Sequence, residues 1–185
     1  MRNAVDDKLY TADEYIQFEW KAEQRHEFIN GQLFEIPGEK DINNKIGFII
    51  AIMLFNFLKS KGYQLYNHDV KVAIPGRKKF YYPDVFATKE ERTMSNQYIK
   101  NEPEIIVEVV SETTQVTDYV DKYIDYTSIP SLIYYMIVEP ETTLITVYEK
   151  EERGNWFARK YTNHSDTVKL EKLEMEFLVS DIYLG

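Results

Sequence analysis

Two acids sit inside apolar, strand-like runs. Asp84 lies in FYYPDVF and Glu108 in EIIVEVV. A carboxylate in the middle of a buried strand is costly unless it is paired, hydrogen-bonded or bound to a metal. Any fold that buries both runs must therefore bring something to the acids. Lys122, on the helix-like stretch DYVDKYIDY, is one candidate partner. Asp118, Lys122 and Tyr126 stand at i, i+4 and i+8 and so share one helix face.

The surrounding pattern gives the elements. Thr11 and Glu14 form T-x-x-E, a capping box that opens a helix through about Trp20. Asn30-Gly31 between apolar residues predicts a two-residue hairpin, with Glu27 in its first strand. Ile42, Ile46, Ile49, Ile50, Met53, Phe57 and Leu58 recur at helical spacing from Asp41, a capping residue, to Gly62, a closing one. YQLYN, DVKVAI and FYYPDVFA read as strands, with a turn at PGRKK. Pro83 cannot donate to a ladder, so its strand is at an edge or bulges there. Residues 88–102 are polar and read as irregular. Glu104–Val110 predicts a buried strand, 111–114 a loop and 115–127 a helix that ends before Pro130. LIYYMIVE and LITVYEK form a hairpin, and WFARKYT and 167–170 add strands. The expected fold class is α/β (α+β), a mixed sheet flanked by helices, in a single domain over residues 1–185.

Composition removes several function classes. There is no cysteine, which excludes disulfides, zinc-thiolate sites and thiol nucleophiles. No P-loop, G-x-S-x-G, H-E-x-x-H or dinucleotide fingerprint occurs. MRNAVDDKLY lacks the apolar core of a secretory signal, and the run GFIIAIMLF is short for a bilayer. A soluble cytoplasmic protein with no membrane partner is the expectation. The net charge of −9 argues against a chain that coats nucleic acid with its whole surface. His26, His68 and His164 make no ligand pair at helical or strand spacing and read as structural or surface residues.

Two hard carboxylates near a lysine suit phosphodiester hydrolysis. A divalent ion on the acids polarises the phosphate and activates water, and the ammonium orients water or stabilises charge. Singly, each residue has a plainer reading. Asp84 caps a turn, Glu108 pairs with a structural cation, Glu27 makes an exposed cross-strand pair, and Lys122 is a solvated charge. Arg77, Lys78 and Lys79 either meet a DNA backbone or form a solvated hairpin tip.

Taken as an ordered set, these residues resemble the PD-(D/E)XK nuclease superfamily. Within it they resemble the bacterial restriction-endonuclease branch called the Uma-two family, over about Tyr10 to Tyr148. The family's Y-E-L-I-D-G-E-L is similar to His26–Leu33, its P-D-V to Pro83-Asp84-Val85, and its E-V-x-S to Glu108–Ser111. Its D-x-x-x-K-x-x-x-Y is similar to Asp118, Lys122 and Tyr126, and its Y-W-I-V-D-P to the stretch Tyr134–Pro140. The superfamily's lysine two residues after the acid is missing, because that place is Val110. Glu112 stands where the family usually has proline, Gln32 replaces an acid, and Asn43 lies near a usual histidine. The resemblance implies a restriction-endonuclease-like core. It also implies Mg²⁺ or Mn²⁺ on Asp84, Glu108 and the backbone carbonyl of Val109, with Lys122 serving the water. Glu27 would be an auxiliary acid, and Asp118 and Tyr126 would support. DNA is the implied substrate and a homodimer the implied assembly. The rival expectations are a catalytically inactive binding module of the same fold, and a hydrolase acting on RNA or nucleotides.

Overall fold

A computed structural model describes residues 4–110 and 116–183; the side chains of 96 and 116–119 lie outside the described set. Ser111, Glu112 and the side chain of Asp118 are thus outside the described residues. The chain opens with α1 (Ala12–Glu19), whose capping box is formed as expected: Thr11 Oγ1 accepts from the Glu14 amide and Glu14 Oε2 from the Thr11 amide. Strands β1 (His26–Ile29) and β2 (Gln32–Glu35) follow. The loop between them is Asn30-Gly31, with φ of +51° and +95°. Positive φ at both loop residues is what a type I′ turn demands.

Helix α2 (Asp41–Leu58) lies against a six-stranded sheet. In chain order that sheet contains β3 (Gln64–Asn67), β6 (Val85–Thr88), β8 (Pro103–Val109), β9 (Tyr134–Glu139), β10 (Leu144–Lys150) and β11 (Trp156–Tyr161). Its spatial order is β11-β10-β9-β8-β6-β3, with β8 and β9 parallel. Strands β1 and β2 join β4 (Lys71–Ala73), β5 (Lys79–Tyr81) and β7 (Ile99–Lys100) in a five-stranded sheet ordered β2-β1-β5-β4-β7. A final hairpin pairs β12 (Thr167–Leu170) with β13 (Met175–Leu178). Helix α3 (Val116–Thr127) links β8 to β9.

Alternation along β8 divides the core. Ile105, Val107 and Val109 face α2, where Ile46, Ile50, Leu54 and Leu58 cover them. Ile106 faces the other way, with Tyr126 and Ile129 of the α3 region and Val72 and Tyr81 of the smaller sheet. The period of two puts Glu108 on that second face, under α3. The stretch Asp41–Lys61 is long and apolar enough to cross a membrane by length and composition, which counting its uninterrupted apolar run misses. Its inner face nevertheless packs on the sheet as a core helix does.

FYYPDVFA does not form one bulged strand. It divides into β5 and β6, which belong to different sheets, and Tyr82-Pro83-Asp84 forms the corner between them. A proline that cannot donate makes this the place where the ladder breaks. The facing strand turns the same corner. Asn67 pairs with Val85 and Val72 with Tyr81, so 68–70 cross between the sheets opposite 82–84. The His68 amide donates to the Pro83 carbonyl at 3.3 Å, tying the two corners. Within the polar stretch expected to be irregular, β7 pairs parallel to β4.

Candidate active site

Each candidate acid owes its position to a fold feature. Asp84 sits at the sheet-crossing corner, Glu108 near the end of β8, and Glu27 on β1. All three are buried, with 6, 5 and 5 % of their surface exposed. Phe28 turns into the aromatic cluster with Tyr15 and Phe80, so Glu27 points to the opposite face, toward α3.

Helix α3 brings Lys122 and Tyr126 down on the same face. Lys122 Nζ is 3.0 Å from Glu108 Oε1 and 3.4 Å from Glu27 Oε1. The Tyr126 hydroxyl donates to the same Glu108 oxygen at 2.7 Å. Asp84 joins through the backbone, where its Oδ2 accepts from the Val109 amide at 2.6 Å. That amide has no strand partner to use on this side, because the β6–β8 ladder ends at Val85–Val107. In a strand the N–H and C=O of one residue leave on the same side, so the Val109 carbonyl is directed toward Asp84 as well. The structure thus brings Glu27, Asp84, Glu108, Val109, Lys122 and Tyr126 together from β1, the 82–84 corner, β8 and α3.

Among the described residues the electrostatics are unbalanced, with three buried carboxylates around one ammonium. Among the described residues, no arginine and no lysine other than Lys122 pairs with Asp84 or Glu108. Burial, followed by the Glu108 and Glu39 carboxylates, pushes the Asp84 carboxyl well above its ordinary range. Burial also raises Glu108, against the pull of the Lys122 ammonium and the Tyr126 hydroxyl. On α2, Gly47 lies against Val109, and a Cβ there would meet its Cγ2 at 4.0 Å. One turn earlier on that helix, Asn43 carries a buried Oδ1 with no hydrogen-bond partner among the described residues. Excess buried negative charge with hard oxygen donors suits a divalent cation.

The basic turn divides. Arg77 and Lys78 are exposed at its tip, as a phosphate contact or a solvated turn requires. Lys79 is turned inward, with Nζ 2.8 and 2.7 Å from the two carboxylate oxygens of Asp125. The Tyr81 hydroxyl donates to Asp125 at 2.6 Å. This neutral pair clamps α3 onto β5, and the Tyr81 ring lies 5.6 Å from Lys122 Nζ. Lys79 is thereby committed to the fold rather than to a DNA backbone.

His68 departs from its sequence reading. The corner gives it φ +39° and sets its Nδ1 3.5 Å from Asp84 Oδ1 and 4.0 Å from Glu39 Oε1. Neither His68 nor Glu39 stands at a sequence spacing that marks a ligand pair, so no local signal singles them out. Both line a cleft of about 540 Å³ that also contains Arg25 and Lys45.

The comparisons with known proteins agree with this architecture. A crystal structure described as a "putative nuclease belonging to DUF820" from Anabaena variabilis superposes with a TM-score of 0.75, covering 95% of this chain and 98% of that one. At 14% identity the likeness concerns the fold. Two proteins of Synechocystis, the uncharacterized proteins slr1290 and sll1609, are each 28% identical to this chain. The matches cover 94% and 91% of this chain and 90% and 96% of theirs. The profile of the Uma2 family, described as "Putative restriction endonuclease", matches residues 12–180. With that match running from α1 to the end of the last hairpin, the chain belongs to the Uma2 family.

Proposed function

We propose that this protein is a metal-dependent endonuclease that hydrolyses phosphodiester bonds in DNA. The observation that carries the reading is the half-buried ammonium of Lys122 between Glu108 at 3.0 Å and Glu27 at 3.4 Å, with Asp84 tied to the next residue of the Glu108 strand. Asp84, Glu108 and the Val109 carbonyl would hold Mg²⁺ or Mn²⁺. Such an ion, when bound, polarises the phosphate and lowers the pKa of water.

The chain's own residues do the rest. Lys122 orients the attacking water and offers positive charge to the phosphate oxygens. Glu27 and Tyr126 fix the geometry, Glu27 by holding the ammonium and Tyr126 by anchoring Glu108. Hydrolysis adds the water oxygen to phosphorus and breaks one phosphorus–oxygen ester bond. The products are a phosphate monoester and an alcohol, with a proton from water ending on the departing oxygen. The exposed Arg77 and Lys78 would meet the DNA backbone. A homodimer would supply the two sites that cutting both strands needs.

The test is plasmid nicking by purified protein in Mg²⁺ or Mn²⁺. The reading expects nicking in the wild type and none in Asp84→Ala or Glu108→Ala. Nicking that survives both substitutions would assign the activity elsewhere. A second reading, a binding module of the same fold without turnover, draws on the net charge of −9. It expects no heat on titrating Mn²⁺ into the metal-free protein.

A further inference from the structure

We propose that Glu39, His68 and Asp84 form a second divalent-cation site, suited to an ion that accepts nitrogen ligands such as Mn²⁺, Co²⁺ or Zn²⁺. Asp84 would be shared between this site and the one on Glu108. That sharing rests on the function proposed above; the donor triad itself does not.

The triad is built by the paired corners. His68 and Asp84 cross between the two sheets side by side, held by the His68 amide on the Pro83 carbonyl. The corner forces His68 into the left-handed region at φ +39°, where a side chain other than glycine is strained. Strain of this sort persists where the surroundings over-determine it, and it concentrates at ligand sites. Arg25 Nη1 reinforces the corner by donating to the His68 carbonyl at 2.5 Å and pairing with Asp69 at 3.1 Å. The imidazole therefore has a fixed backbone behind it, as a metal-binding histidine requires.

The spacing of the donor atoms fits an ion better than it fits hydrogen bonds. Nδ1 of His68 is 3.5 Å from Asp84 Oδ1 and 4.0 Å from Glu39 Oε1, and one donor atom from each of the three residues lies within 4.8 Å of the others. A good hydrogen bond would be about 2.7–3.2 Å. Ligands about 2.1 Å from a shared ion are separated by about 3.0–3.4 Å when adjacent and about 4.2 Å when opposite. The present separations lie close to that range.

Asp84 supplies an independent sign. Its Oδ2 is used by the Val109 amide, and its Oδ1 accepts no hydrogen bond among the described residues. This oxygen belongs to a side chain 9 % exposed, and it faces the imidazole. It lies across 3.5 Å from the His68 Nδ1 without a hydrogen bond, and a cation between the two would engage both. An entry path exists as well, since Glu39 and His68 both line the cleft of about 540 Å³. One imidazole with two carboxylates favours borderline transition-metal ions over Mg²⁺ or Ca²⁺, which prefer oxygen throughout.

The experiment is calorimetric titration of metal-free protein with Mn²⁺, read beside the visible spectrum on Co²⁺ addition and the His68 ring resonances on Zn²⁺ addition. Wild type is expected to bind two ions per chain and to shift the His68 ring signals. His68→Gly, which keeps the left-handed backbone, and Glu39→Gln are each expected to bind one ion, or the second at least tenfold more weakly. Glu108→Gln is expected to retain the His68 shift. A wild-type stoichiometry and affinity that neither His68→Gly nor Glu39→Gln alters would overturn the second site. One ion lost in His68→Gly and none in Glu108→Gln would keep this site and sink the proposed nuclease centre.

Discussion

Replacing Asp84 by Asn is expected to stabilise the metal-free protein, while replacing it by Ala is not. The Asp84 carboxyl is held well above its ordinary range by burial and by Glu108 and Glu39. Its ionised form is thus disfavoured in the folded state relative to the unfolded chain. An acid raised in this way gives its full stabilisation below its unfolded value of about 3.9 and loses it as pH rises through the folded value. The metal-free protein is therefore less stable at pH 8 than at pH 5 as far as this group acts. Asparagine keeps the shape and removes the charge. Its carbonyl still accepts from the Val109 amide, now at 2.6 Å, and its NH₂ turns toward His68 and Glu39. Relief of an uncompensated buried charge is worth about 1–3 kcal/mol. For a chain of this size that is a rise in Tm of about 2–4 °C per kcal/mol. Alanine also removes the charge but strands the Val109 N–H, at about 1–3 kcal/mol, so the two effects oppose. Urea unfolding at pH 8 in EDTA should rank Asn above wild type, and Ala near or below it. The pH 5 to pH 8 loss should shrink in the Asn variant. Saturating Mn²⁺ should reverse the order, adding about 2.7 kcal/mol to wild type at a hundred times Kd and little to the variant. An Asn variant no more stable than wild type in EDTA at pH 8 would refute the reasoning.

Two further outcomes test the same electrostatics. Lys122→Met leaves Glu108 and Glu27 buried without the ammonium now 3.0 and 3.4 Å away, and should lower stability by about 3–5 kcal/mol at pH 8. The loss should shrink as pH falls, because burial raises the Glu108 carboxyl and removing the ammonium takes away the pull against it, which urea melts at falling pH would show. Lys100→Met should raise stability by about 1–3 kcal/mol. The Lys100 ammonium is fully buried with no hydrogen-bond partner among the described residues, and lies 5.4 Å from the Tyr66 ring centroid. A lower Tm in that variant would show that the ring contact outweighs desolvation.

What the sequence disclosed was local. The Thr11–Glu14 box, the Asn30-Gly31 turn and the apolar period of α2 each act within a few residues, and each is present in the structure. Lys122 and Tyr126 were legible because helical spacing places them on one face, and the odd acids in apolar strands gave them something to reach. The hidden features are pairings across long separations. Lys79 meets Asp125 across 46 residues, and no period connects them. His68 and Asp84 are neighbours only because two strands change sheets at the same level. Proline at 83 announced an interruption, but not that the strand would continue in another sheet. Strand β7 is two residues long and paired parallel, too short to leave an alternating pattern.

The missing lysine at position 110 follows from the same geometry. Side chains alternate along β8, so Glu108 and the residue two places on face the same side, toward α3. A lysine at 110 would reach Glu108 along the strand. This chain has Val110 there, packed in the cluster that contains Tyr126, Tyr135 and Ile137. The ammonium arrives instead from above, on α3, and reaches Glu108 Oε1 at 3.0 Å. What the proposed chemistry fixes is the place of the charge beside the carboxylate, and two different elements satisfy it. Carrying the lysine on the helix has a structural consequence, since the helix must then be held in register over the strand. The Lys79–Asp125–Tyr81 clamp, three residues along α3 from Lys122, supplies that restraint with a charge pair that the site itself does not use.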